Sequence, residues 1–130
     1  MKKNVLIYVI IILIALGGIL IILRGSEDDW IKDSRGVWIK HGNPYSTPDK
    51  VKEQQGIIDC ANTLYDGAKS NETNFNSQCL GKCENYSVDV VHVPRTDEDN
   101  KIENQCSDFR SGITKHFIEI DKNGRIVRIV

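Results

Sequence analysis

From Val5 to Leu23 the chain runs through nineteen residues without a charge, bracketed by Lys2 and Lys3 on one side and by Arg24, Glu27, Asp28 and Asp29 on the other. At 1.5 Å of rise per residue, an α-helix of that length spans roughly 28 Å, close to the ~30 Å hydrocarbon core of a bilayer. A helix satisfies its own backbone in lipid, and Ile, Leu and Val need no polar partner there. Residues 1–24 therefore read as a transmembrane anchor, with the bilayer as the partner of residues 5–23. A secretory signal competes, but its apolar region is shorter and ends at a small-x-small cleavage site. The nearest match, Ala15-Leu16-Gly17, would leave Ile19 to Leu23 as a greasy new terminus. The run contains no cysteine for lipid attachment.

Lys and Arg are retained on the cytoplasmic side of a span. Two lysines precede the segment and one arginine follows it, which predicts a cytoplasmic amino end and an exported carboxyl part, hence a single-pass protein of the cell membrane. Gly17 and Gly18 have no small residue four positions away, so the close-packing pattern for helix dimers is missing. A type IV pilin also opens with a short basic leader and a long apolar helix. Asn4 and Val9 stand where its processing rule places a small residue and a Glu, which leaves a pilin-like assembly subunit as a minor alternative.

Lys2, Lys3 and Arg24 are three of the 17 basic residues, and all 18 acidic residues lie beyond residue 25, so the exported part carries a charge of about −4. Mixed charge of this kind gives no electrostatic footprint for nucleic acid. About a hundred residues suffice for one small domain, a size at which covalent staples are common. Cys60, Cys79, Cys83 and Cys106 all fall beyond the span. In an oxidising compartment an even number reads as two disulfides, with three connectivities open. Zinc competes through Cys79-x3-Cys83, but there is no second close pair, and His41, His92 and His116 are scattered.

Residues 25–29 form a polar linker to an α+β domain over 30–130. Trp30-Ile31-Lys32 and Val37-Trp38-Ile39-Lys40 flank the turn-prone Asp33-Ser34-Arg35-Gly36 and predict a short hairpin. Thr47-Pro48 starts a helix to about Asp66, ended by Gly67, whose stripe is Val51, Ile57, Ile58, Ala61, Leu64, Tyr65 and Ala68, with Cys60 at its border. Lys69 to Asn85 reads as a loop pinned by Cys79 and Cys83. It carries two sequons with candidate glycan acceptors Asn71 and Asn85, which act only if the host glycosylates. A valine-rich strand over Tyr86–Val93 stops at Pro94. The acidic turn after Thr96 and the later Gly112 predict a second helix with Ile102, Cys106 and Phe109 inward. Asp121-Lys122-Asn123-Gly124 joins two β-rich runs as a hairpin. The expected architecture is two helices on one face of a sheet of about three strands, plus the short hairpin.

No phosphate loop, nucleophile elbow, His-Glu-x-x-His or dinucleotide fingerprint occurs. The sequence therefore nominates no catalytic, cofactor-binding or metal-binding residue. His92 and His116 could sit on neighbouring strands, although a structural histidine is the more common outcome. Trp30 to Pro44, with Gly36-x-Trp38 followed by Lys40-His41-Gly42-Asn43-Pro44, resembles the box that opens the exported part of some uncharacterised small membrane-anchored prokaryotic proteins. That resemblance implies the same topology and no activity. The expected function is display of a small extracytoplasmic domain for binding or structural work, toward an unidentified outside partner. The alternative is thiol-disulfide or metal chemistry on Cys79 and Cys83.

Overall fold

The computed structural model describes residues 2–25, 28–71 and 76–130. The chain divides into two units, one formed by residues 1–31 and 39–47 and the other by 32–38 and 48–130.

In the first unit, α1 (Lys2–Gly25) is apolar on every side from Val5 to Ile22. Its Val5–Ile22 stretch has a mean hydropathy of 3.3, is long and apolar enough to cross a membrane, and has no part buried within the chain. The strands β1 (Asp29–Lys32) and β2 (Trp38–His41) pair as a two-stranded sheet, as the two apolar triplets predicted. Trp30 Nε1 donates to the Ser46 carbonyl at 3.1 Å, and the Asn43 amide donates to Asp28 Oδ1 at 3.0 Å. These bonds fold the Gly42–Thr47 connection back on the strand.

In the second unit, the turn between these strands closes on Asp33, whose carboxylate accepts the Arg35 and Val37 amides. Gln54 of α2 (Asp49–Asn71) clamps the same turn, accepting the Trp38 amide at 2.7 Å and donating to the Gly36 carbonyl at 2.9 Å. The stripe of α2 is buried at Val51, Ile57, Ala61 and Tyr65, as its spacing predicts. The helix continues past Asp66 and through Gly67 to Asn71, because an isolated glycine lowers helix stability by only about 1 kcal/mol and does not by itself end a helix.

The main sheet has four strands in the order β3-β4-β5-β6: β3 (Gln78–Cys83), β4 (Tyr86–Val91), β5 (His116–Asp121) and β6 (Ile126–Ile129). The β4–β5 pair is parallel and the outer pairs are antiparallel. Val88, Ile118, Ile120 and Ile129 join Ile57, Ala61, Tyr65 and Cys83 in the core beneath α2. The Asn123-Gly124 hairpin forms as expected, with Gly124 at φ +82° and Asp121 Oδ1 accepting the Asn123 and Arg125 amides.

Two further expectations are corrected, the first of which gives the sheet four strands in place of the expected three. The loop over 69–85 contains β3, an edge strand fixed by pairing and by two disulfides rather than by β-branched residues. The second helix over 96–112 does not form. That stretch instead makes two 3-10 turns (Asp97–Asn100 and Ile102–Asn104) and the four-residue α3 (Ser107–Arg110). Of its predicted stripe only Cys106 is buried, while Ile102 is 67% and Phe109 40% exposed. The acidic run Asp97-Glu98-Asp99 has no apolar period to hold a longer helix on the sheet. A single long helix therefore covers one face of the sheet, and this irregular segment covers part of the other.

Candidate functional site

Along β4, Tyr86, Val88 and Val90 alternate with Ser87, Asp89 and Val91, and the parallel register sets Ser87, Asp89 and Val91 beside Phe117, Glu119 and Asp121. The second set forms the face away from α2. One row crosses all four strands there: Cys79 opposite Asp89, Asp89 beside Glu119, and Glu119 opposite Arg128.

The two acids of that row are treated differently. Glu119 is buried and bound by two guanidinium groups, Arg95 Nη1 at 2.6 Å and Arg128 Nη2 at 3.0 Å. Asp89 accepts the Cys106 amide at 3.0 Å and makes no side-chain ion pair among the described residues. Burial pushes its carboxyl up to about 6. The Cys106 amide opposes that shift, the Glu119 charge adds to it, and the more distant Arg95 and Arg110 oppose it. Asp89 thus exchanges protons close to neutrality.

A third acid anchors the rim. Asp99 accepts the amides of Thr96 at 2.7 Å and His92 at 3.0 Å, together with His92 Nδ1 at 2.9 Å. Burial alone would raise its carboxyl, but these bonds and one from Ser77 outweigh it and hold the group well below the usual carboxylate range. Asp99 is a structural hub that stays charged. Between these groups lies a cleft of about 120 Å³, lined by Asp89, Glu119, Arg95 and Arg128, by Cys106, and by Phe117. Phe109 meets Phe117 edge to face at 5.1 Å and roofs one side.

All four candidate cysteines are bridged, Cys60 to Cys83 and Cys79 to Cys106. Cys79 and Cys83, the spacing that suggested a dithiol or zinc pair, belong to different bridges. The cause is a bulge between Cys79 and Gly81. Four positions apart in a regular strand, the two would share a face. With Leu80 inserted, Cys83 sits under α2 and Cys79 on the opposite face, beside Asp89. Cys79, Cys106 and Asp89 bring their ligand atoms within 4.8 Å of one another, but both sulfurs are consumed in their mutual bond and are not thiolate ligands.

Asn71 ends α2 and donates to the Gly67 carbonyl, while Glu72 and Thr73 of its sequon lie outside the described residues. Asn85 is exposed in the β3–β4 turn, where its Oδ1 accepts the Lys115 amide at 3.0 Å. Ser87 of the same sequon is fully buried against Thr114. Parallel pairing sets His116 beside Tyr86, with which it stacks, whereas His92 follows Val91 at the far end of β4, so the two histidines do not meet.

Asp89, Glu119, Arg95 and Arg128 were not nominated by the sequence. Their signal was present as acids inside the apolar runs Ser87–Val91 and Phe117–Ile120, where a buried acid demands a partner. The cleft can hold a small polar group and can take up or give a proton at Asp89. Compared with protein-family models, with curated proteins and with solved structures, the chain gives no match.

Proposed function

We propose that this is a single-pass membrane protein, amino end cytoplasmic, that displays the disulfide-stapled unit at the outer, oxidising face for binding or structural work in the envelope. The observation that carries this reading is the coexistence of a wholly exposed apolar helix with two disulfides among the described residues. Exposed apolar surface of that extent requires cover, and lipid is the cover that its length fits. Disulfides persist outside the reducing cytosol. Lys2 and Lys3 before the span, against Arg24 after it, support this orientation. The resemblance of Trp30–Pro44 to the exported box of small anchored proteins agrees with it. The partners under this reading are the bilayer around residues 5–23 and an extracytoplasmic protein or ligand.

Protease added to intact cells should remove the carboxyl-terminal unit while a tag at the amino terminus stays protected, and the protein should stay with membranes after alkaline extraction. A protected carboxyl unit, or release of an intact soluble chain, overturns the proposal. Affinity capture from solubilised membranes should return one consistent partner.

A further inference from the structure

We propose that the Cys79–Cys106 bridge is a thiol-disulfide exchange site, attacked at Cys79, with Asp89 supplying the proton to the departing Cys106 sulfur and an extracytoplasmic dithiol as substrate. The proposal rests on the outer-face reading only for the bridge being oxidised in the cell.

The two bridges differ in setting. Cys60–Cys83 joins α2 to β3 inside the core, with Cys83 only 2% exposed. Cys79 is exposed on the edge strand, so a thiolate from outside can reach its sulfur, while Cys106 is 2% exposed and faces the cleft. Attack is therefore directed to Cys79, and Cys106 becomes the leaving group. A leaving sulfur departs as a thiolate, and one released in a buried place between two backbone carbonyls and beside Asp89 is a poor one unless it is protonated.

The site provides for that need. A carboxyl oxygen of Asp89 lies within 4.8 Å of both sulfurs, within reach through one water. The carbonyls of Gly81 and Val88 stand 3.4 and 3.5 Å from Cys106 Sγ, placed to accept the S–H once it forms. The charged groups around Asp89 are Glu119 from β5, Arg95 from the segment after β4, Arg110 from α3 and Arg128 from β6, with Asp99 held in its own hydrogen bonds. Glu119 is neutralised by Arg95 and Arg128, which leaves Asp89 as the group free to exchange a proton.

In the exchange, a substrate thiolate bonds to Cys79 Sγ, the Sγ–Sγ bond breaks, and Cys106 leaves with the electron pair and takes the proton of the Asp89 carboxyl. The second thiolate of the same substrate then attacks the substrate sulfur bonded to Cys79, the substrate's own S–S bond forms, and Cys79 leaves as a thiolate that is protonated by solvent. The substrate dithiol is oxidised to a disulfide, the bridge is reduced to two thiols, and the reverse exchange with a disulfide restores it.

The test uses the purified full chain in detergent, with dithiothreitol and timed alkylation read by peptide mass spectrometry. Cys79 and Cys106 should become labelled at least about tenfold sooner than Cys60 and Cys83 at pH 6, the scale of a modest general-acid contribution. Because both bridges meet the same thiolate, the ratio of their rates should fall as pH rises through 6, when Asp89 loses its proton. Glutathione should be trapped on Cys79. Asp89→Asn should slow opening of this bridge at pH 6 and leave Cys60–Cys83 unchanged. Equal opening, a pH-independent ratio, glutathione on Cys106, or an Asp89→Asn chain that exchanges at the wild-type rate would each overturn the proposal. The pH ratio in the unaltered chain decides the matter even if the variant fails to fold. Membrane orientation does not enter these rates, so a failure here leaves the topology standing, and the reverse also holds.

Discussion

Ser87 and Thr114 meet hydroxyl to hydroxyl at 2.6 Å, both shielded from water, on the face of the sheet away from α2. Each is the other's partner, so removing one strands a buried polar group. Ser87→Ala should lower unfolding free energy by about 1–3 kcal/mol in urea titration. The double variant Ser87→Ala, Thr114→Val should lie closer to wild type than the sum of the singles, because no orphan hydroxyl remains.

Stability should pass through a maximum in mildly acidic solution. The folded Asp89 carboxyl, raised to about 6 by burial, takes up its proton before the unfolded chain does, so lowering the pH through 6 toward 4 stabilises the fold. A shift of two units corresponds to on the order of 2–3 kcal/mol. Asp99 and Asp121 run the other way: burial is outweighed by hydrogen bonds that depress both carboxyls, and their contribution is present above the ordinary carboxyl value and lost as the pH falls below it. Thermal melts between pH 3 and 8 should show the rise and then the fall, and Asp89→Asn should abolish only the rise.

Much of this was legible in the chain. The charge-free run, the spacing of Val51, Ile57, Ala61 and Tyr65, and Asn123-Gly124 between β-rich runs each encode structure locally, and their elements appear where local rules put them. What was not legible depends on distant partners. Gln78–Cys83 has weak strand propensity and becomes a strand because Tyr86–Val91 pairs with it and two disulfides hold it. Thr96 to Gly112 carries capping and terminating signals for a helix, but Asp99 turns its carboxylate back on Thr96 and His92, and the chain closes into short turns instead. The cleft joins β4, β5 and β6 with the segment between β4 and β5, so its acids and arginines, from Asp89 to Arg128, meet only once the parallel crossover is made.

Removing the two bridges should not cost the same. They close loops of similar length, with sequence separations of 23 and 27, and chain entropy alone assigns each about 3 kcal/mol. Cys60→Ala with Cys83→Ala also opens space in the core under α2, whereas Cys79→Ala with Cys106→Ala loosens an edge. Denaturant midpoints should therefore fall further for the first pair.

Gly36 has φ +80°, and a Cβ there would collide with the Ile129 carbonyl. The neighbouring Arg35 carbonyl accepts the Ile129 amide at 2.8 Å, tying the turn to β6. Gly36→Ala should cost about 2 kcal/mol or more, from left-handed backbone and displacement of that bond, and hydrogen exchange at the Ile129 amide should accelerate with it.

Leu80 works like a frameshift in the two-residue rhythm of β3. Straightening the strand at constant length would leave Cys79 and Cys83 four regular positions apart and on one face, so the strand could no longer be riveted to the layers above and below it. The bulge is thus a condition for the whole cysteine pairing: it gives a step of four residues the facing that a regular strand gives only to an odd step.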